Sequence, residues 1–115
     1  MKIAVMSWND GLKPGAGKHA REVLTEVEQF TEQMLAAGTV ESVMSLSTML
    51  GPGGAMIWIV DEGKLTEFLS GPEFAAVRPR IALSLENWRM ALYAVQDEQP
   101  PAEQRERYFE MAAQY

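Results

Sequence analysis

Six apolar residues in a row, Ala55 to Val60, stand between the turn Gly51-Pro52-Gly53-Gly54 and the acidic pair Asp61-Glu62. Side chains alternate between the two faces of a strand, so an apolar run containing Trp58 predicts a strand covered on both sides. The same test of period sorts the rest of the chain. Lys2 to Trp8 is β-compatible and stops at Asn9-Asp10-Gly11, with Pro14, Gly15 and Gly17 extending the turn. From Lys18 to Ala37 the residues Ala20, Val23, Leu24, Val27, Phe30, Met34 and Leu35 recur at helical spacing, and Gly38 supplies the stop. This predicts a helix of about 20 residues and about 30 Å.

Thr39 to Leu50 reads as a long strand, with Val40, Met44, Leu46 and Leu50 on one face and Glu41, Val43, Ser45, Ser47 and Met49 on the other. The Gly-Pro-Gly-Gly turn joins it to Ala55–Val60 as an antiparallel hairpin. Between Asp61 and Arg78 a broken helical pattern runs through Leu65, Phe68, Leu69, Phe74 and Val77, and Gly71-Pro72 splits it into two short pieces. Ile81 to Val95 is the last predicted strand, with Arg78 and Arg80 as loop charges before it. After a polar hinge over 96–101, Ala102 to Ala113 returns to helix-forming residues.

The resulting order, β-α-β-β-α-β plus a C-terminal helix, is the ferredoxin-like α+β arrangement. It divides the chain into a domain over 1–95 and a hinge with helical extension over 96–115. Right-handed crossovers put both main helices on one face of a four-stranded antiparallel sheet, with the first and third strands at its centre. The other face is then bare. An apolar bare face predicts a second copy of the chain, a homodimer through the open sheet face, with Ile57 or Trp58 pointing into it.

In strand one ending at Trp8, the Lys13-Pro14-Gly15 turn before a long amphipathic helix, the run Gly38-Thr39-Val40-Glu41-Ser42 leading into strand two, and the hairpin at Gly51-Pro52, residues 1–95 resemble the dimeric α+β barrel superfamily. That group contains antibiotic-biosynthesis-monooxygenase-like proteins and many small uncharacterised bacterial proteins. The resemblance implies a dimer whose sheets pack face to face and, often, a small-molecule pocket between each sheet and its helices. It also implies an enzyme alternative, a cofactor-independent monooxygenase in which Trp8, Asn87, Arg89 and Tyr93 position an aromatic substrate. The C-terminal helix lies outside the pattern, which leaves open a third class, a structural or interaction module.

Composition narrows the partners. A net charge of -6 argues against a phosphate-backbone partner, so nucleic acid is not expected. The chain has no cysteine and no apolar segment near the ~18 residues of a membrane span, and a cytoplasmic protein is the expectation.

Candidate chemistry is sparse. Gly15-Ala16-Gly17-Lys18 lacks the first glycine of a phosphate-binding loop, where Leu12 stands, and its Ser or Thr, where His19 stands. His19 is the sole histidine and flanks the apolar stripe of the long helix near Glu22 and Glu26, which makes it a base candidate against the simpler reading of a surface histidine. One histidine, no cysteine and no clustered carboxylates predict no metal, and no cofactor is expected. Trp8, Trp58 and Trp88 fall on three strands and, beside Tyr93, could line one apolar cavity or simply pack. Glu86, Asn87 and Arg89 interrupt an apolar stretch. Asn87 and Arg89 share a parity that suits a ligand carbonyl or carboxylate, and a solvated edge strand suits them equally. The leading expectation is a small apolar or aromatic ligand held between sheet and helices.

Overall fold

The computed structural model describes residues 1–95 and 101–113. Strand β1 (Lys2–Asn9) leads through a loop into helix α1 (Gly17–Ala36), followed by the hairpin of β2 (Val40–Ser47) and β3 (Gly54–Asp61). A short 3-10 turn at Glu62–Lys64 precedes α2 (Leu65–Ser70) and α3 (Pro72–Ser84), and then come β4 (Arg89–Ala94) and α4 (Pro101–Ala112). The four strands form one antiparallel sheet in the order β2-β3-β1-β4, with β1 and β3 central as their position in the chain requires. This is the ferredoxin-like architecture.

Alternation divides the sheet. Ile3, Val5 and Ser7 of β1 and Trp58 and Val60 of β3 are buried on the helix-facing side, where α1 supplies Ala20, Val23, Val27, Phe30, Thr31 and Met34. Trp58 therefore belongs to the core, and it is Ile57 that faces away. α1 ends where Gly38 takes a φ of 75°, letting its N–H reach Leu35 O at 3.1 Å.

Four expectations need correction. The last strand does not begin at Ile81: Phe74, Val77 and Ile81 recur as one buried helical stripe, so α3 runs on to Ser84 and the strand starts at Arg89. Pro79 lies inside that helix on its exposed side. Arg78 and Arg80 are thus helical residues, Arg80 Nε reaching Glu26 Oε2 on α1 at 2.7 Å and Arg78 lying 5.9 Å from the Phe74 ring centre. In β2 a bulge between Val40 and Ser42 shifts the register, so Val40 is buried under the helices while Met44 lies on the opposite face. That strand also stops at Ser47, because the Thr48 hydroxyl bonds Gly51 O at 2.6 Å and Gly53 O at 2.8 Å to form the turn.

The polar hinge expected over 96–101 lies, except for its last residue, outside the described residues. Helix α4 carries Arg107, which bonds the Met1 sulfur, and an exposed Tyr108–Phe109 pair with ring centres 5.6 Å apart.

Candidate functional site

The helix and sheet layers meet differently at their two ends. Beneath α2 and α3, the rings of Phe30, Trp58, Phe68 and Phe74 pack with centroids 5.5 to 6.5 Å apart. Each is at most 4% exposed, and such pairs add about 0.5–1.5 kcal/mol beyond burial alone. Toward the hairpin that ring packing stops. There the buried Ser7, Ala20 and Ser84 and the exposed Ser45, with Gly53 and Gly54 of the turn, border a cleft of about 450 Å³ whose apolar walls include Val23, Val27, Met56, Trp58, Ile81 and Leu85.

The end of this cleft is built by backbone contact. A Cβ on Gly53 would lie 2.7 Å from Asn9 O, and one on Gly11, whose φ is 130°, would lie 3.0 Å from Pro52 side-chain carbons. Only glycine lets the hairpin turn and the loop after β1 approach this closely. That loop is in turn tied to the end of α3, through Asp10 N to Glu86 O at 2.9 Å, Glu86 N to Gly11 O at 2.8 Å and Lys13 N to Ser84 O at 3.0 Å.

Several polar groups in the cleft are already engaged. Trp58 gives its indole N–H to the buried Thr31 hydroxyl at 3.0 Å, so it offers the cleft only ring surface. Trp88 gives its N–H to Ser7 Oγ at 2.7 Å, and the Ser84 hydroxyl bonds Arg80 O at 2.9 Å. Glu28 is, among the described residues, the one charged residue that borders the cleft. Among the described residues no three of His, Asp and Glu converge as metal ligands, and no helix is long and apolar enough to cross a membrane.

The sequence candidates separate. The three tryptophans do not share one cavity: Trp58 borders the cleft, Trp88 packs against the core as the partner of Ser7, and Trp8 points to the other side of the sheet. Ser7 and Trp8 are neighbours on a strand and must face opposite ways. Tyr93 is on that far side too, 53% exposed. Asn87 and Arg89 do not share a strand parity, since Asn87 lies in the turn before β4 with a φ of 49°. Both bond Asp10, Asn87 Nδ2 to Oδ2 at 2.8 Å and Arg89 Nη2 to Oδ1 at 3.1 Å, while the Arg89 guanidinium lies 5.3 Å from the Trp8 ring centre. This clasp sits at the sheet end, outside the residues bordering the cleft. His19, in the first turn of α1, is half-buried and also outside them, and neighbouring Glu26 is held by Arg80.

Asp10, Ser7, Thr31 and Ser84 were not singled out from the sequence. Asp10 read as turn punctuation. Ser7 did carry a signal, being the polar residue that follows Ile3 and Val5 on the inward parity of β1.

On the sheet face away from the helices three of the four strands make an apolar patch, with Met6 and Trp8 of β1, Ile57 and Ile59 of β3 and Met44 and Leu46 of β2, Met44 being 58% and Leu46 47% exposed. The fourth, β4, brings Ala91, Tyr93 and Arg89 to the same face.

No protein-family model matches the chain, and no curated protein matches it in sequence. Among solved structures the fold recurs at low identity. Rv0793 from Mycobacterium tuberculosis aligns with a TM-score of 0.70 and 17% identity, over 87% of this chain and 100% of its own. A dimeric ferredoxin-like protein of unknown function from Thermobifida fusca aligns with a TM-score of 0.61 and 17% identity, over 83% of this chain and 92% of its own. SnoaB, a cofactor-independent oxygenase from Streptomyces nogalater, aligns in a mutant form with a TM-score of 0.66 and 11% identity, over 87% of this chain and 96% of its own. What they share with this chain is the fold, and a fold does not carry a function with it.

Proposed function

We propose that this chain forms a homodimer and binds a small apolar or aromatic molecule in the cleft between α1 and the sheet. The observation that carries the ligand reading is the cleft. It lies within the roughly 300–1,000 Å³ of small-molecule sites, and its apolar walls with few polar groups match their usual make-up. The layer is filled with rings elsewhere, so the space reflects the choice of side chains at one end. Titration with the neutral fluorophore N-phenyl-1-naphthylamine tests this. Saturable enhancement at one probe per chain is expected, and no enhancement, or enhancement that never saturates, contradicts it.

The homodimer rests on the open sheet face. A contiguous apolar surface on a free monomer is an association site, and a two-fold axis covers the same patch on both copies at once. The Thermobifida fusca protein of the same fold is described as dimeric. Sedimentation at micromolar concentration is expected to give a dimer, and Ile57→Asp, which puts a charge at the centre of the face, is expected to give a monomer. A monomeric wild type overturns the dimer.

A second reading, a cofactor-independent monooxygenase, is favoured by the likeness to SnoaB. In this chain it would draw on residues bordering the cleft, Trp58 and Ser7 among them, since Trp8, Asn87, Arg89 and Tyr93 lie elsewhere. Oxygen uptake with a panel of hydroxylated naphthalenes decides it: none in the wild type removes the enzyme reading and leaves the binding one standing.

A further inference from the structure

Ser7 is 9% exposed, lies on the helix-facing side of β1 and borders the cleft. Its oxygen accepts the Trp88 indole N–H at 2.7 Å. An indole nitrogen only donates, so this bond fixes how the serine works: a lone pair is used and the hydroxyl proton remains to be given. Among the described residues no group accepts that proton. A buried donor without a partner is unfavourable, so the site is built for an acceptor that the chain does not itself provide.

The surroundings say what kind of acceptor. Among the described residues no Lys or Arg borders the cleft and Glu28 does, so a carboxylate or phosphate would enter without a counter-charge and against one of its own sign. The Trp58 N–H is already taken by Thr31 and the Ser84 hydroxyl by Arg80 O. The remaining hydroxyls, Ser45 and Ser47, are exposed to water on the edge strand, so Ser7 is the buried hydroxyl donor left to the cleft among the described residues. A neutral oxygen on an apolar body is what remains. We propose that Ser7 is the specificity-determining donor of the cleft, giving its proton to the carbonyl oxygen of an uncharged, apolar carbonyl compound while Trp88 occupies its lone pair. The inference rests on the cleft being a ligand site.

Matched naphthalenes displacing N-phenyl-1-naphthylamine test it. 2-Acetylnaphthalene carries the carbonyl, 2-ethylnaphthalene replaces it with hydrocarbon, and 2-naphthoate replaces it with an anion. In the wild type the ketone is expected to bind about threefold to tenfold more tightly than the ethyl compound, the range of one neutral hydrogen bond, and 2-naphthoate more weakly than the ketone. Ser7→Ala is expected to bring ketone and ethyl compound to within about twofold by weakening the ketone alone, and Ser7→Thr, which keeps a hydroxyl, to retain the preference. If the ketone preference survives Ser7→Ala, or the wild type binds ketone and ethyl compound equally, Ser7 serves only a bound water and the proposal falls while the binding site stands. If no naphthalene displaces the fluorophore, proposal and binding site fall together.

Discussion

One pair of layers, helices over sheet, is closed at one end and open at the other. At the closed end Phe30, Trp58, Phe68 and Phe74 fill the interlayer space ring against ring. At the open end the small residues Ser7, Ala20, Ser45 and Ser84 stand among larger apolar ones, and a cleft of about 450 Å³ is left. Packed interiors hold few voids, and this cleft differs from one in opening to solvent past the exposed Leu12, Leu24 and Ser45, within a framework fixed from elsewhere. The aromatic end does that fixing, with Trp58 belonging to both regions. Stability and binding should accordingly separate along the length of α1.

The largest expected effect breaks the closed end. Phe74→Ala removes a ring that is 1% exposed and contacts three others, and it should lower stability by about 3–5 kcal/mol in urea unfolding. A loss below about 1 kcal/mol would mean that the closed end does not hold the layers apart. At the open end Ser45→Phe should do the reverse. Ser45 is exposed on an edge strand and on the helix-facing side, where an aromatic suits β-structure, so stability should stay within about 0.5 kcal/mol while fluorophore binding is lost. The smallest effect is expected at the clasp that ties the loop at the cleft end to the turn before β4. Asp10→Ala removes its bonds to Asn87 and Arg89, but both Asp10 and Arg89 are about half exposed, so solvent screening limits the loss to about 1 kcal/mol or less.

The pattern of apolar residues was sufficient for the topology because β1, β3 and α1 each had to bury one face. It also led to an apolar outer sheet face, which the bulge in β2 made more complete by turning Met44 and Leu46 outward together while Val40 went in. Where local period was ambiguous, the reading failed. Ile81 to Ser84 fits a strand as well as a helix over so short a stretch, and only contact with α1 favours the helix. The site was less legible than the fold, for a physical reason. Asp10 meets Asn87 and Arg89 across 77 and 79 residues of chain, and Ser7 meets Trp88 across 81, so no local spacing announces either pair. The tryptophans drew attention by size, whereas the cleft is bordered by residues whose importance is that they are small.

The most direct measurement is the titration of N-phenyl-1-naphthylamine into wild type and Ser45→Phe side by side, since the fluorophore could otherwise settle on the exposed sheet face. Saturable binding at one probe per chain in the wild type, with its loss in a Ser45→Phe protein that unfolds at the same urea concentration, is the predicted result. Identical isotherms for the two proteins would place the probe outside the cleft and contradict the function proposed for it.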